Sequence, residues 1–127
     1  MGLILSKDQL ILRDMAKSFC AEKSPVERMR TLRDTKSADG FTRDLWKEMG
    51  ELGWLGILFP EAVGGAEMGY GELGVVLSEC GRVLAPEPFL STVLLGGNAV
   101  LLGGNEPLQK DFLLDVCTGD RILSLSF

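Results

Sequence analysis

Histidine is absent from this 127-residue sequence. Without it there is no Ser-His-Asp or Cys-His nucleophile, no imidazole metal site and no imidazole proton relay. Cysteine is sparse: Cys20, Cys80 and Cys117 stand far apart, with no CxxC pair. An odd, widely spaced set fits neither a disulfide framework nor a zinc site, and reads as small buried side chains in a reducing compartment. Basic charge is also short, with 13 Lys and Arg against 18 Asp and Glu and a formal net charge of −5. That balance argues against a nucleic-acid or anionic-membrane partner. Long apolar runs are missing too. The most apolar stretch, Phe89 to Leu102, is broken by Gly96, Gly97 and Asn98 and falls short of the ~20 residues a bilayer-crossing helix needs. The start, Met1-Gly2-Leu3-Ile4-Leu5-Ser6, lacks the basic stretch of a secretory signal. It matches the loose myristoylation pattern, but a helix cap accounts for Ser6. The expectation is a cytoplasmic chain with no membrane span and no metal.

What is present is helix. Ser6 and Gln9 have capping-box spacing and Leu5 and Leu10 staple spacing, so a helix opens at Lys7. Ile11, Leu12, Met15, Ala16 and Phe19 form its inward stripe. Ser24-Pro25-Val26-Glu27 opens a second helix, with Pro25 at its first position, that ends near Leu32. Thr42 caps a third that buries Leu45, Met49 and Leu52 and ends at Gly53. Trp54 to Phe59 is a compact apolar segment stopped by Pro60, and a glycine-rich loop follows to Gly69. In the fourth helix Leu73, Val76, Leu77, Cys80 and Leu84 make one stripe, with Glu72, Glu79 and Arg82 off it. A fifth, Phe89 to Leu102, is apolar on nearly every side. Asn105 caps a sixth that turns Leu108, Phe112, Leu113 and Val116 inward and stops at Gly119.

The last stretch changes period. Arg121-Ile122-Leu123-Ser124-Leu125-Ser126-Phe127 alternates apolar and small polar residues, as a strand does. A single strand needs a neighbour for its backbone groups. The expected fold class is therefore all-α, an orthogonal or up-down bundle of about six helices over residues 1–119, with residues 120–127 beginning a β domain. Charge is uneven along the chain. Residues 1–50 hold ten basic and eight acidic groups, and residues 51–127 hold three and ten. Arg28, Arg30, Arg33 and Lys36 read as a solvated face.

Few motifs carry chemistry. Gly69-Tyr70-Gly71-Glu72-Leu73-Gly74 is a literal GxGxxG, yet a loop rather than a strand precedes it and no βαβ unit surrounds it. Its glycines read as packing positions and not as a dinucleotide cradle. Glu61, Glu67, Glu72, Glu79 and Glu87 each lack a complementary polar neighbour in sequence and read as solvated or capping carboxylates. Cys80 lacks anything that would activate a nucleophilic thiol. No catalytic residue is assigned within the chain.

The order and spacing of several pieces resemble the N-terminal helical domain of the flavin-dependent acyl-CoA dehydrogenases. They are Leu45-Trp46 with Met49, Leu52-Gly53-Trp54-Leu55-Gly56-Ile57, and Pro60-Glu61 with Gly64-Gly65. Gly71-Glu72-Leu73, Val75-Val76-Leu77, Glu79 with Gly81-Arg82, Leu84-Ala85-Pro86 and Pro88-Phe89 continue the series. Gly103 to Lys110 and Gly119 to Phe127 complete it. Ala66-Glu67-Met68, after the paired glycines, departs from the family, which often places another glycine early in this loop.

The resemblance implies an oxidoreductase acting on CH–CH groups in lipid metabolism. Such an enzyme takes the α-proton of an acyl-CoA thioester with a carboxylate, passes the β-hydride to FAD and hands electrons to an electron-transfer partner. In the family the base and most of the flavin site lie in later domains. The sequence thus looks like the first third of an enzyme, inactive alone and holding no FAD by itself. The helical domain walls the acyl pocket. By alignment Ser91, Thr92 and Leu95 match positions lining the acyl chain, and Leu125 and Phe127 lie on the strand leading to the first flavin contacts. Homo-oligomerisation or self-association is expected, because the fifth helix and terminal strand leave apolar surface uncovered. A free-standing helical interaction module derived from this domain is the alternative.

Overall fold

The computed structural model describes residues 4–126. They divide into two compact units, one holding the residues up to Phe41 with Tyr70–Pro86, the other Thr42–Gly69 with the residues from Glu87 on. Both are helical, and among the described residues there is no strand.

In the first unit α1 (Lys7–Lys23), α2 (Val26–Asp34) and the later helix α4 (Tyr70–Arg82) come together. The capping box forms as expected: the Gln9 amide donates to Ser6 Oγ at 3.2 Å and the Ser6 amide to Gln9 Oε1 at 3.0 Å. Gln9 also reaches α4, where its Nε2 donates to Glu72 Oε1 at 2.9 Å. Gly71 makes that approach possible, since a Cβ there would sit 3.0 Å from Gln9 Nε2. This glycine of the GxGxxG string is thus a packing position.

The α1 stripe differs from the expected one. Ala16 and Cys20 are buried, whereas Ile11 and Met15 are 60% and 51% exposed. Two small side chains let α1 lie close on α4, and Ile11 and Met15 flank that contact in solvent. Pro25 is the N-cap of α2, not its first helical residue, and Ser24 accepts from Arg28 Nη1 at 3.1 Å instead of capping. The helix runs on to Asp34, whose carboxylate pairs with Arg33 at 2.8 Å. On α4 Leu73, Val76 and Cys80 are buried as expected, joined by Val75 and Glu79. Leu84 is exposed in a left-handed conformation beyond the helix end.

The second unit contains α3 (Arg43–Glu51), a short 3₁₀ turn (Glu61–Val63), a π-helical segment (Leu90–Gly97) continuing into α5 (Asn98–Gly103), and α6 (Glu106–Thr118). Leu45, Trp46 and Met49 of α3 are buried, but Leu52 is exposed, and Thr42 holds the N-cap position without a side-chain bond. Gly53 ends α3 with φ +79° and Gly119 ends α6 with φ +81°, as expected of left-handed caps. Asn105 caps α6 by accepting from the Leu108 amide at 3.0 Å. Leu113 and Val116 face inward, Phe112 does so in part, and Leu108 is exposed.

The core gathers Trp46, Met49, Leu55, Ile57, Phe59, Val93, Leu113 and Val116. Trp46 meets Phe89 edge-to-face, with ring centroids 5.1 Å apart. The glycine-rich loop folds back on this core through Ala66 N to Gly56 O (2.9 Å), Glu67 N to Phe59 O (3.0 Å) and Met68 N to Ile57 O (2.8 Å). Gly65 crosses the Phe59 carbonyl so closely that a Cβ would overlap it, and Glu67 takes φ +53° in the stretch where the family often has glycine. Gly65→Ala should therefore destabilise the second unit by about 1–3 kcal/mol, read from the denaturant midpoint. An unchanged midpoint would mean that the loop can leave Phe59 at no cost.

Candidate functional site

The candidate residues lie in the second unit, on the π-helical segment and the extended stretch that ends the chain. Pro86 and Pro88 block α4 from continuing into this segment. Winding then restarts at Phe89 and passes through eight π-helical residues, Leu90–Gly97, before tightening to α5. The expected fifth helix thus exists, but its first half is wound more loosely than an α-helix, in the i→i+5 π form. It is also not buried all round, since Leu90, Leu95 and Leu102 reach solvent. π-Helical turns are rare, and they recur where a side chain must be displaced from its α-helical direction.

Thr92 faces inward and is fully buried. Its hydroxyl donates to the Leu123 carbonyl and accepts from the Leu123 amide, both at 3.2 Å. One side chain thereby satisfies both ladder groups of a residue in the terminal stretch, as a neighbouring strand would. Gly96 completes the dock, because a Cβ there would stand 2.6 Å from Leu123 Cβ. Gly97 does the same for the core, where a Cβ would meet Phe59 Cζ at 2.5 Å. Of the three residues expected to line the acyl chain, Thr92 uses its hydroxyl on Leu123. Ser91 is half-buried, with Oγ donating to the Pro88 carbonyl at 3.3 Å, and Leu95 is 36% exposed.

A second tie holds the other end of the stretch. Arg121 Nη2 bonds Asp115 Oδ2 at 3.0 Å, and its guanidinium carbon lies 4.5 Å over the Phe112 ring. Asp120 pairs with Lys47 at 3.0 Å and accepts from Thr118 Oγ1 at 2.8 Å, which together hold its carboxyl below the usual range. Residues 121–126 have no regular secondary structure and no ladder. Leu125 is 44% exposed, and Phe127 lies outside the described residues.

The remaining chemistry is quiet. Glu72 accepts from Gln9, and Glu79, expected in solvent, is only 5% exposed and pairs with Arg82 at 3.3 Å. Among the described residues no group of three His, Cys, Asp or Glu side chains could hold a metal ion. A cleft of about 410 Å³ in the second unit is lined by Lys47, Gly50, Glu51, Leu114 and Cys117, not by the π-helical segment.

Residues 6–120 match the sequence pattern of the acyl-CoA dehydrogenase N-terminal domain. The chain belongs to the acyl-CoA dehydrogenase family. Acyl-CoA dehydrogenase FadE27 of Mycobacterium tuberculosis is 35% identical over 86 residues, covering 68% of this chain and 23% of that protein. Benzylmalonyl-CoA dehydrogenase of Aromatoleum aromaticum is 34% identical over 125 residues, covering 96% of this chain and 32% of that protein. The ChsE4–ChsE5 complex from Mycobacterium tuberculosis superposes with a TM-score of 0.84 at 29% identity, over 98% of this chain and 34% of that one. The chain therefore spans between about a quarter and a third of the relatives it matches.

Within this acyl-CoA dehydrogenase domain, sequence reasoning missed the role of Thr92. The signal available was a lone threonine amid apolar residues, opposite a stretch with no strand partner. Thr92→Val should cost about 1–3 kcal/mol by leaving both Leu123 groups unpaired, and Thr92→Ser should recover most of it. Denaturant unfolding with amide exchange at Leu123 measures both. Cys117 yields a pH prediction: burial pushes its thiol up to about 11 from the ordinary 9.0. The unfolded thiol loses its proton first, so stability should fall as pH rises from about 9 to 11. Cys117→Ala should flatten that part of the pH profile.

Proposed function

We propose that this domain forms one wall of the acyl pocket in an FAD-dependent enzyme that desaturates an acyl-CoA thioester between its α and β carbons. Membership of the family supports the reaction class. The observation that carries the assignment of residues is the shared π-helical segment: Ser91 and Leu95 lie on its accessible side, and Thr92 beside them grips Leu123. An apolar side chain next to a small hydroxyl suits an acyl chain, which needs a dry surface with few polar demands. FAD supplies the hydride acceptor when bound. The described residues fit it only at an edge, where Leu125 offers an exposed apolar side chain beside extended backbone. The residues that hold the rest of the cofactor, and the carboxylate base, belong to other parts of the enzyme, so this domain by itself is inactive.

Thr92 and Gly96 then have a mechanical part. They fix Leu123 to the same segment that carries Ser91 and Leu95, so the pocket wall and the approach to the flavin keep a constant spacing. The proposed partners are an acyl-CoA substrate, an electron-transfer protein and further copies or related chains. The relative solved as a complex, ChsE4–ChsE5, supports the last. A cytoplasmic setting fits a chain in which no described helix is long and apolar enough to cross a membrane.

Ser91→Phe in the full-length enzyme tests the wall. Its ring should narrow the channel away from the reacting carbons, so kcat/KM should fall about 10-fold or more for long acyl-CoA substrates and far less for short ones. Equal losses at every chain length, together with a lowered melting temperature, would make Ser91 a packing residue and remove it from the pocket.

A further inference from the structure

Cys20 and Cys80 lie 60 residues apart in sequence, yet their sulfurs stand 3.9 Å from each other inside the first unit. Cys20 belongs to the last turns of α1 and Cys80 to the last turns of α4. Both are buried, at 1% and 5% exposure, and both are thiols. A disulfide has its sulfurs about 2.05 Å apart, so the pair must close by about 1.9 Å. Each sulfur swings on a Cβ, and the small residues Ala16 and Cys20 are the buried positions of α1.

We propose that Cys20 and Cys80 form a reversible disulfide site whose oxidant is hydrogen peroxide. Cys80, the more exposed of the two, attacks a peroxide oxygen slowly through its sulfur, and the thiol proton passes to water. The O–O bond breaks, leaving a sulfenic acid on Cys80 and, after proton uptake, one water. Cys20 sulfur then attacks Cys80 sulfur, the S–O bond breaks, and the oxygen leaves as a second water. The two thiols lose two electrons and the peroxide gains them. A small-molecule thiol reverses the reaction by exchange.

The third cysteine is set apart by its environment. Cys117 lies on α6 in the second unit, and burial keeps it protonated far above neutral pH. The first unit gains a covalent tie between α1 and α4, in a unit where Ile11 and Met15 stand in solvent and α2 buries no residue fully. Closing a loop of 60 residues removes much conformational freedom from the unfolded chain.

The test treats the folded chain with graded hydrogen peroxide at neutral pH, then quenches, denatures, alkylates, digests and weighs the peptides. The expected product is a peptide joining residues 20 and 80, lighter by two hydrogens, reversed by dithiothreitol, with Cys117 still alkylated. The first unit's melting temperature should rise by several degrees on oxidation, and Cys20→Ala should abolish both changes while leaving Cys80 to oxidise alone. A join that forms equally in urea, or a join to Cys117, would overturn the proposal. So would sulfinic acids at Cys20 and Cys80 with no link between them, or two thiols that resist peroxide while the chain stays folded.

Discussion

A single hydroxyl carries the arrangement of the second unit. Thr92 Oγ1 serves as donor and acceptor to one residue, Leu123, and does so from a fully buried position. An extended stretch leaving a helical bundle would ordinarily drag unpaired amide and carbonyl groups against an apolar surface, at a cost of several kcal/mol. Here the groups nearest the core are satisfied by a side chain that costs no extra strand. The glycines at 96 and 97 follow from the same constraint, since the backbone of the segment must approach Leu123 on one side and Phe59 on the other. The segment that makes these contacts, Leu90–Gly97, is wound in the π form.

The acyl-CoA dehydrogenase assignment and this clamp bear on each other. The proposed role, one wall of an acyl pocket, asks for a segment that keeps its shape. The π-helical segment is braced twice, by Leu123 from the terminal stretch and by Phe59 from the apolar run before the loop. The terminal stretch is itself braced by Arg121 on Asp115 and Phe112. The ties at Leu123 and Asp115 are polar and the packing on Phe59 is apolar, and the accessible face of the segment is left to Ser91 and Leu95.

Much of the fold is legible in the sequence, and for identifiable reasons. Ser6 with Gln9, Asn105, Gly53 and Gly119 act through bonds and dihedral angles within a few residues, so their effect survives any tertiary context. The stripe on α4 is wide enough that Leu73, Val76 and Cys80 had to face inward. The α1 stripe was misjudged because periodicity gives a direction and not a breadth; Ile11 and Met15 stand outside a contact that Ala16 and Cys20 already fill. Ser24 illustrates the same limit at a cap, where a nearby guanidinium took the oxygen that a helix amide would otherwise have used.

What the sequence determined by itself is local and compositional: helices with their caps, the absence of histidine chemistry, and an order of motifs that places the chain in its family. What only the tertiary structure decided is which polar groups are consumed internally. Thr92 and Ser91 are adjacent and chemically alike, yet one is locked to a residue 31 positions away and the other bonds only within its own turn. Glu79 sits inside and Glu72 bridges two helices, although both lie off the same apolar stripe. Cys20 and Cys80 became neighbours through the packing of α1 on α4. Local spacing cannot report such pairings, because the partner that satisfies a buried polar group is chosen by the chain's return in space and not by its neighbours in sequence.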